Sequence, residues 1–254
     1  MQDQQQEIAL LNNDGVQAVR NGSLDQAITV LAEALSAAKQ RSQLCEEQQE
    51  QLHQRFEDDY DFSEWMSQHA MEMTRQPIKY NVNGPGAHIY VYQYPIELPT
   101  NNDEGNVGTP SSLVSVQCMT ILFNLALTFH LRGLSQTHNL SDEEREFSIT
   151  NAIELYELCY EMMGNEHLNP GLFFLMSLAN NLGHCHAMVQ QQEKAQKCFE
   201  HLLSMQMYLT DAIEQEQSNN RNDKAETDKV VSTFEGFFKN TSLLILNDCC
   251  ASAA

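Results

Sequence analysis

The chain holds 254 residues at 42% hydrophobic content, enough for one large domain or two small ones with a real core. Its 14 Lys and Arg stand against 35 Asp and Glu, a formal net charge of −21 that repels phosphate backbones and anionic lipid and so argues against nucleic-acid and membrane partners. No apolar run approaches the roughly 20 residues of a spanning helix, the polar start Met1-Gln-Asp-Gln-Gln-Gln-Glu lacks the features of a signal peptide, and the seven scattered cysteines read as reduced thiols. The expectation is an intracellular protein, cytoplasmic or nuclear.

Residues 1–41 form the first predicted element pair. Leu11, Gly15 and Ala18, then Leu24, Ala27, Leu31 and Ala34, recur at helical spacing on either side of Gly22. Ser23-Leu-Asp-Gln26 reads as a capping box opening the second helix. Residues 42–111 interrupt this pattern. Their first part prolongs the preceding helix, and Glu57-Asp-Asp-Tyr-Asp-Phe62 is the densest acidic cluster. Near 78–94, Lys79–Val82 and Ile89–Tyr94 flank Asn83-Gly-Pro-Gly86, which predicts a β-hairpin with Tyr90, Tyr92 and Tyr94 on one face. Pro95 and Pro99 stop the second strand, and Thr100–Thr109 reads as a loop.

Residues 112–213 predict a second and a third helical hairpin. Pro110 opens a long helix carrying Leu122, Leu125, Ala126 and Phe129, and Ser141-Asp-Glu-Glu144 caps its partner with Ala152, Tyr156 and Cys159. Asn169-Pro170 predicts an N-cap and first-turn proline for a helix running toward Val189. Ala179, Leu182, Gly183 and His186 are followed by Ala195, Phe199 and Leu202. Residues 214–228 read as a polar linker, and 229–254 as a capping helix with a loose tail. Gly15, Ala126 and Gly183 on first helices, with Ala27, Ala152 and Ala195 on second helices, let paired backbones approach, while Leu31, Tyr156 and Phe199 are expected to fill the space between neighbouring hairpins.

This spacing, sharpest in Asn181-Leu-Gly183 and Glu193-Lys-Ala-Gln-Lys-Cys-Phe199, resembles the tetratricopeptide repeat (TPR), a unit of two antiparallel helices. No repeat carries the usual early Trp or the closing Pro. The strings Leu122-Phe-Asn-Leu-Ala-Leu-Thr-Phe-His-Leu131, Leu155–Met162, Asn180–His186, Cys198–Leu203 and Gly236–Asn240 are similar to TPR-like proteins of diatoms, a likeness that implies fold and lineage and no activity. The expected class is all-α, a superhelix of TPR-like hairpins with a small β-hairpin insertion.

The resemblance implies a concave surface lined by first helices. Its sixth position holds Asn13, Asn124 and Asn181, and in peptide-binding relatives an asparagine there bonds the ligand's backbone, since a primary amide donates and accepts at once. Ala9, Asn12, Val16, Thr120, Phe123, Leu127, His130, Ser177, Asn180 and His184 neighbour it. This lining lacks the cations needed for acidic chaperone tails, so the expected ligand is an extended protein or peptide segment with neutral, apolar or basic side chains. The alternative is a structural subunit whose groove is filled by residues 76–100 or 230–247 and which acts through oligomer contacts. His184 and His186 point to different sides of a helix, so no metal or other cofactor is expected, and no phosphate loop, His-Glu-x-x-His or Gly-x-Ser-x-Gly motif suggests an enzyme.

Overall fold

A computed structural model of the chain describes residues 2–49, 90–100, 110–135, 140–166, 171–219 and 235–242. Six helices run α1 (Gln2–Arg20), α2 (Leu24–Gln49), α3 (Pro110–Leu134), α4 (Asp142–Glu166), α5 (Leu172–Met188) and α6 (Gln192–Asn219). A seventh, α7, is described over 235–242. All regular secondary structure among the described residues is helical, so the fold is all-α.

Two of the reversals share one hydrogen-bond pattern. After α1, the Ser23 N–H reaches the Ala18 carbonyl (2.9 Å) and the Gly22 N–H the Val19 carbonyl (3.0 Å), with Gly22 at φ 81°. After α5, Gln191 bonds His186 (2.9 Å) and Gln190 bonds Ala187 (3.2 Å), with Gln190 at φ 61°. Both are Schellman caps, which satisfy the last carbonyls of a helix through one left-handed residue. Glycine enters that region without a Cβ penalty and glutamine does not. Gln190→Gly is therefore expected to raise stability by about 1 kcal/mol, measured by urea denaturation. The α3–α4 connection instead uses the predicted capping box. The Ser141 N–H donates to Glu144 Oε2 (2.8 Å) and the Glu144 N–H to Ser141 Oγ (3.2 Å), which holds the Glu144 carboxyl below its ordinary range.

Successive helices pack side by side: α1 with α2, α2 with α3, α3 with α4, α4 with α5, and α5 with α6, while α1–α3 and α3–α5 also touch. The first hairpin thus stacks directly on the second although residues 50–109 separate them in sequence. Glycines set the close approaches. A Cβ on Gly15 would lie 2.6 Å from Leu31, one on Gly133 2.6 Å from Ile149, and one on Gly183 2.8 Å from Phe199. Leu31 and Phe199 therefore sit over the glycine of their own hairpin. A single apolar cluster draws on all seven helices and on Tyr92, Ile96 and Leu98.

Several expected boundaries move. Helix α5 begins at Leu172, with Gly171 as its N-cap at φ 79°, in place of the predicted Asn169 cap; Asn169 and Pro170 lie outside the described residues. Helix α6 continues to Asn219, into the stretch expected to be a linker. The β-hairpin near 78–94 is not found among the described residues: 90–94 carry no strand pairing, and 78–89 lie outside them, as does the acidic cluster at 57–61. Val114–Leu134 is long and apolar enough to cross a membrane, with mean hydropathy 1.5, contrary to the sequence expectation; 89% of that window is buried inside the fold. Its scattered Gln, Thr, Asn and His break the apolar run by eye while leaving its average high.

Candidate functional site: an asparagine-clamped groove

Residues 90–100 follow no regular secondary structure and lie along the first helices as a strap. Four asparagines each bind one strap residue twice. Asn13 Oδ1 accepts from the Leu98 N–H (2.7 Å) while its Nδ2 donates to the Leu98 carbonyl (2.8 Å). Asn124 holds Ile96 in the same way (2.7 and 2.7 Å), Asn181 holds Tyr92 (2.9 and 2.9 Å), and Asn240 holds Tyr90 (2.6 and 2.8 Å). Pairing at every second residue requires extended backbone, in which the N–H and C=O of one residue point to the same side. A primary amide presents one acceptor and one donor in a plane, so it matches that pair. The ladder partner of each strap residue is thus a side chain, which is why no β-strand forms here.

The clamp is built twice on one plan. In the first unit, Asn12 Nδ2 donates to the Ile96 carbonyl (3.0 Å) and to Asn13 Oδ1 (3.1 Å), and Asn12 Oδ1 accepts from Asn124 (2.9 Å). In the second, Asn180 Nδ2 donates to the Tyr90 carbonyl (3.1 Å) and to Asn181 Oδ1 (3.1 Å), and Asn180 Oδ1 accepts from Asn240 (2.6 Å). An Asn-Asn doublet on one first helix, plus a single Asn on the next, fixes two strap residues in each case. Such closed networks leave no lone amide group buried, which is what makes them tolerable in a core. Between the units lie Gln93, Tyr94 and Pro95, which no asparagine holds; proline there forfeits no N–H bond.

Side chains complete the seat. The fully buried Tyr92 ring packs edge-on to Phe173 (centroids 5.4 Å), tilted to Phe123 (6.1 Å) and stacked on Phe237 (6.1 Å). Its hydroxyl is buried with no hydrogen-bond partner among the described residues, and burial pushes its pKa well above the ordinary tyrosine value. Tyr90 lies against Gly236, where its ring leaves no room for a Cβ. Glu97 pairs with Arg20 and accepts from Gln17 Nε2 (3.0 Å). The seated segment is therefore apolar and acidic, and Arg20 is a groove cation that the sequence reading overlooked.

Of the groove residues expected from sequence, Asn13, Asn124, Asn180 and Asn181 meet the chain's own main chain. Phe123 lies beneath Tyr92, and Leu127 is wholly buried in the core. His130 and His184 face each other: His130 Nε2 and His184 Nδ1 are 2.8 Å apart and both rings are buried. Desolvation lowers both pKa values, that of His184 to about 4, and the neighbouring His184 ring lowers that of His130 further. Asn240 was missed, yet a signal existed. It follows Gly236 by four, as Asn13 follows Ala9, Asn124 follows Thr120 and Asn181 follows Ser177. Helix α7 thus adds a fourth clamp to the groove. Among the described residues, no three His, Cys, Asp or Glu side chains gather as a metal site.

Protein-family models, curated proteins and solved structures contain no match to this chain.

Proposed function

We propose that the chain is a non-enzymatic, TPR-like structural subunit whose peptide groove is filled by its own residues 90–98, and that protein partners meet its outer faces. The observation that carries this reading is the twofold amide pairing of Asn13, Asn124, Asn181 and Asn240 with Leu98, Ile96, Tyr92 and Tyr90. A groove so filled offers an outside segment no free clamp. The outer helices α4 and α6 present exposed Phe147, Met207 and Tyr208 as contact points. The acidic composition and the odd cysteine count support an intracellular, cytoplasmic setting.

One observation favours a second reading, an interaction module that exchanges its strap for a partner's segment: of the strap the asparagines contact only main chain, so they do not require this particular sequence. A fluorescent peptide spanning residues 88–100 decides between the two, added to the intact protein and to a variant whose residues 90–98 are replaced by Gly and Ser. Uptake by the variant and none by the intact protein is the expected result. Uptake by the intact protein would replace the structural reading with the exchange reading.

A further inference from the structure

The two clamp units divide at one seam. Asn13, Asn12 and Asn124 stand on α1 and α3; Asn181, Asn180 and Asn240 stand on α5 and α7. The strap bridges them through Gln93, Tyr94 and Pro95, so α3 and α5 cannot separate while both units keep their hold on it. The His130–His184 contact joins the same two helices. His184 lies one turn beyond Asn181, and Tyr156 links the sites: its hydroxyl accepts from Asn181 Nδ2 (3.1 Å) and its ring meets His130 edge-on (centroids 6.2 Å).

The histidine contact holds a single proton between two nitrogens, one donating and one accepting. His130 Nδ1 is buried and has no partner among the described residues. A second proton on the contact would set two N–H groups against each other at 2.8 Å. A proton on Nδ1 would leave a buried cation without an acceptor. Among the described residues the neighbouring acids are engaged elsewhere, Asp25 of α2 with Arg132 of α3. From α4 the pair meets the neutral Tyr156, and Glu157 on that helix is turned to Lys194 of α6 and His186 of α5. The strap's acid, Glu97, is held by Arg20 of α1.

We propose that His130 and His184 form a proton-operated latch on the α3–α5 seam: charging them parts the two clamp units and frees the strap at Tyr90 and Tyr92. This rests on the self-filled groove described above. Release begins on that side because Tyr156 ties the histidine pair to Asn181, the clamp of Tyr92. The sign follows from linkage. A histidine buried neutral binds its proton only in the opened form, so the closed form is fully favoured above the ordinary value of 6.5 and loses ground as pH falls toward about 4. Each such histidine shifts the open-to-closed ratio by up to about tenfold per pH unit in that window.

The test is hydrogen exchange on the full chain between about pH 7.5 and pH 5, corrected for intrinsic exchange rates, with the imidazoles followed by NMR. The expected result is at least about a tenfold loss of protection at the Tyr90 and Tyr92 amides at pH 5, with the amides of α1, α2 and α3 unchanged. His130→Gln and His184→Gln should each shrink this acid step, and the double variant should remove it. Strap protection that stays level with pH, strap and helices opening together, or an undiminished acid step in the double variant would each overturn the latch. If the variants do not fold, the order of opening in the wild-type chain decides. Strap protection at neutral pH reports separately on the self-filled groove: protected there but insensitive to acid, the groove reading stands and the latch falls.

Discussion

Asn181→Ala is expected to lower stability by about 4 kcal/mol, because the Tyr92 N–H and carbonyl lose their partners inside the fold at about 1–3 kcal/mol each. Tyr156 loses a donor in the same step. For a chain of this size the melting temperature should drop by roughly 10 °C. Asn181→Asp discriminates sharply, being the same shape. It still accepts from the Tyr92 N–H but cannot donate to the carbonyl, and it places an unpaired carboxylate in the core, so it should do at least as much damage as alanine. Asn13→Ala, at the half-exposed end of the ladder, should cost about 1–2 kcal/mol. Urea denaturation of the three variants checks the series. An Asn181→Ala protein within about 1 kcal/mol of wild type would mean that the strap does not occupy the groove.

At Tyr92 two substitutions should move stability in opposite directions. Tyr92→Ala removes a ring packed among Phe123, Phe173 and Phe237 and leaves a cavity, for an expected loss of about 3–5 kcal/mol. Tyr92→Phe keeps the ring and deletes only the unpartnered hydroxyl. Relieving a buried donor that lacks an acceptor should gain about 1 kcal/mol. Thermal and urea denaturation of both variants give the check. A loss on Tyr92→Phe would show that the hydroxyl is bonded after all.

The opposite signs at one position illustrate which features a sequence can display. That Tyr92 is aromatic and shares a two-residue period with Tyr90 and Tyr94 is legible, and the period does report extended backbone. The choice of a hairpin was the inference from Asn83-Gly-Pro-Gly86, because a two-residue period implies a hydrogen-bonded partner without naming it. Here the partner is a ladder of amides on helices. Likewise the shared position of Asn13, Asn124 and Asn181 was visible in the repeat register, since periodic spacing survives any length of intervening chain. Arg20 was not recognised as a groove cation, for it meets Glu97 across a separation that no local pattern spans.

The helical hairpins, their caps and the glycines that let them close were determined by local sequence, because capping, propensity and helical spacing act within a few residues. The candidate clamps were determined there too, as chemistry without an occupant. Only the tertiary structure decided the occupant, since bringing residues 90–98 onto α1, α3, α5 and α7 depends on packing between parts of the chain up to 150 residues apart. It also decided that two histidines with no sequence relation share one proton at the seam between the clamps. Contacts of that range are set by the summed fit of buried surfaces and amide pairs, a property of the assembled core and of no single segment.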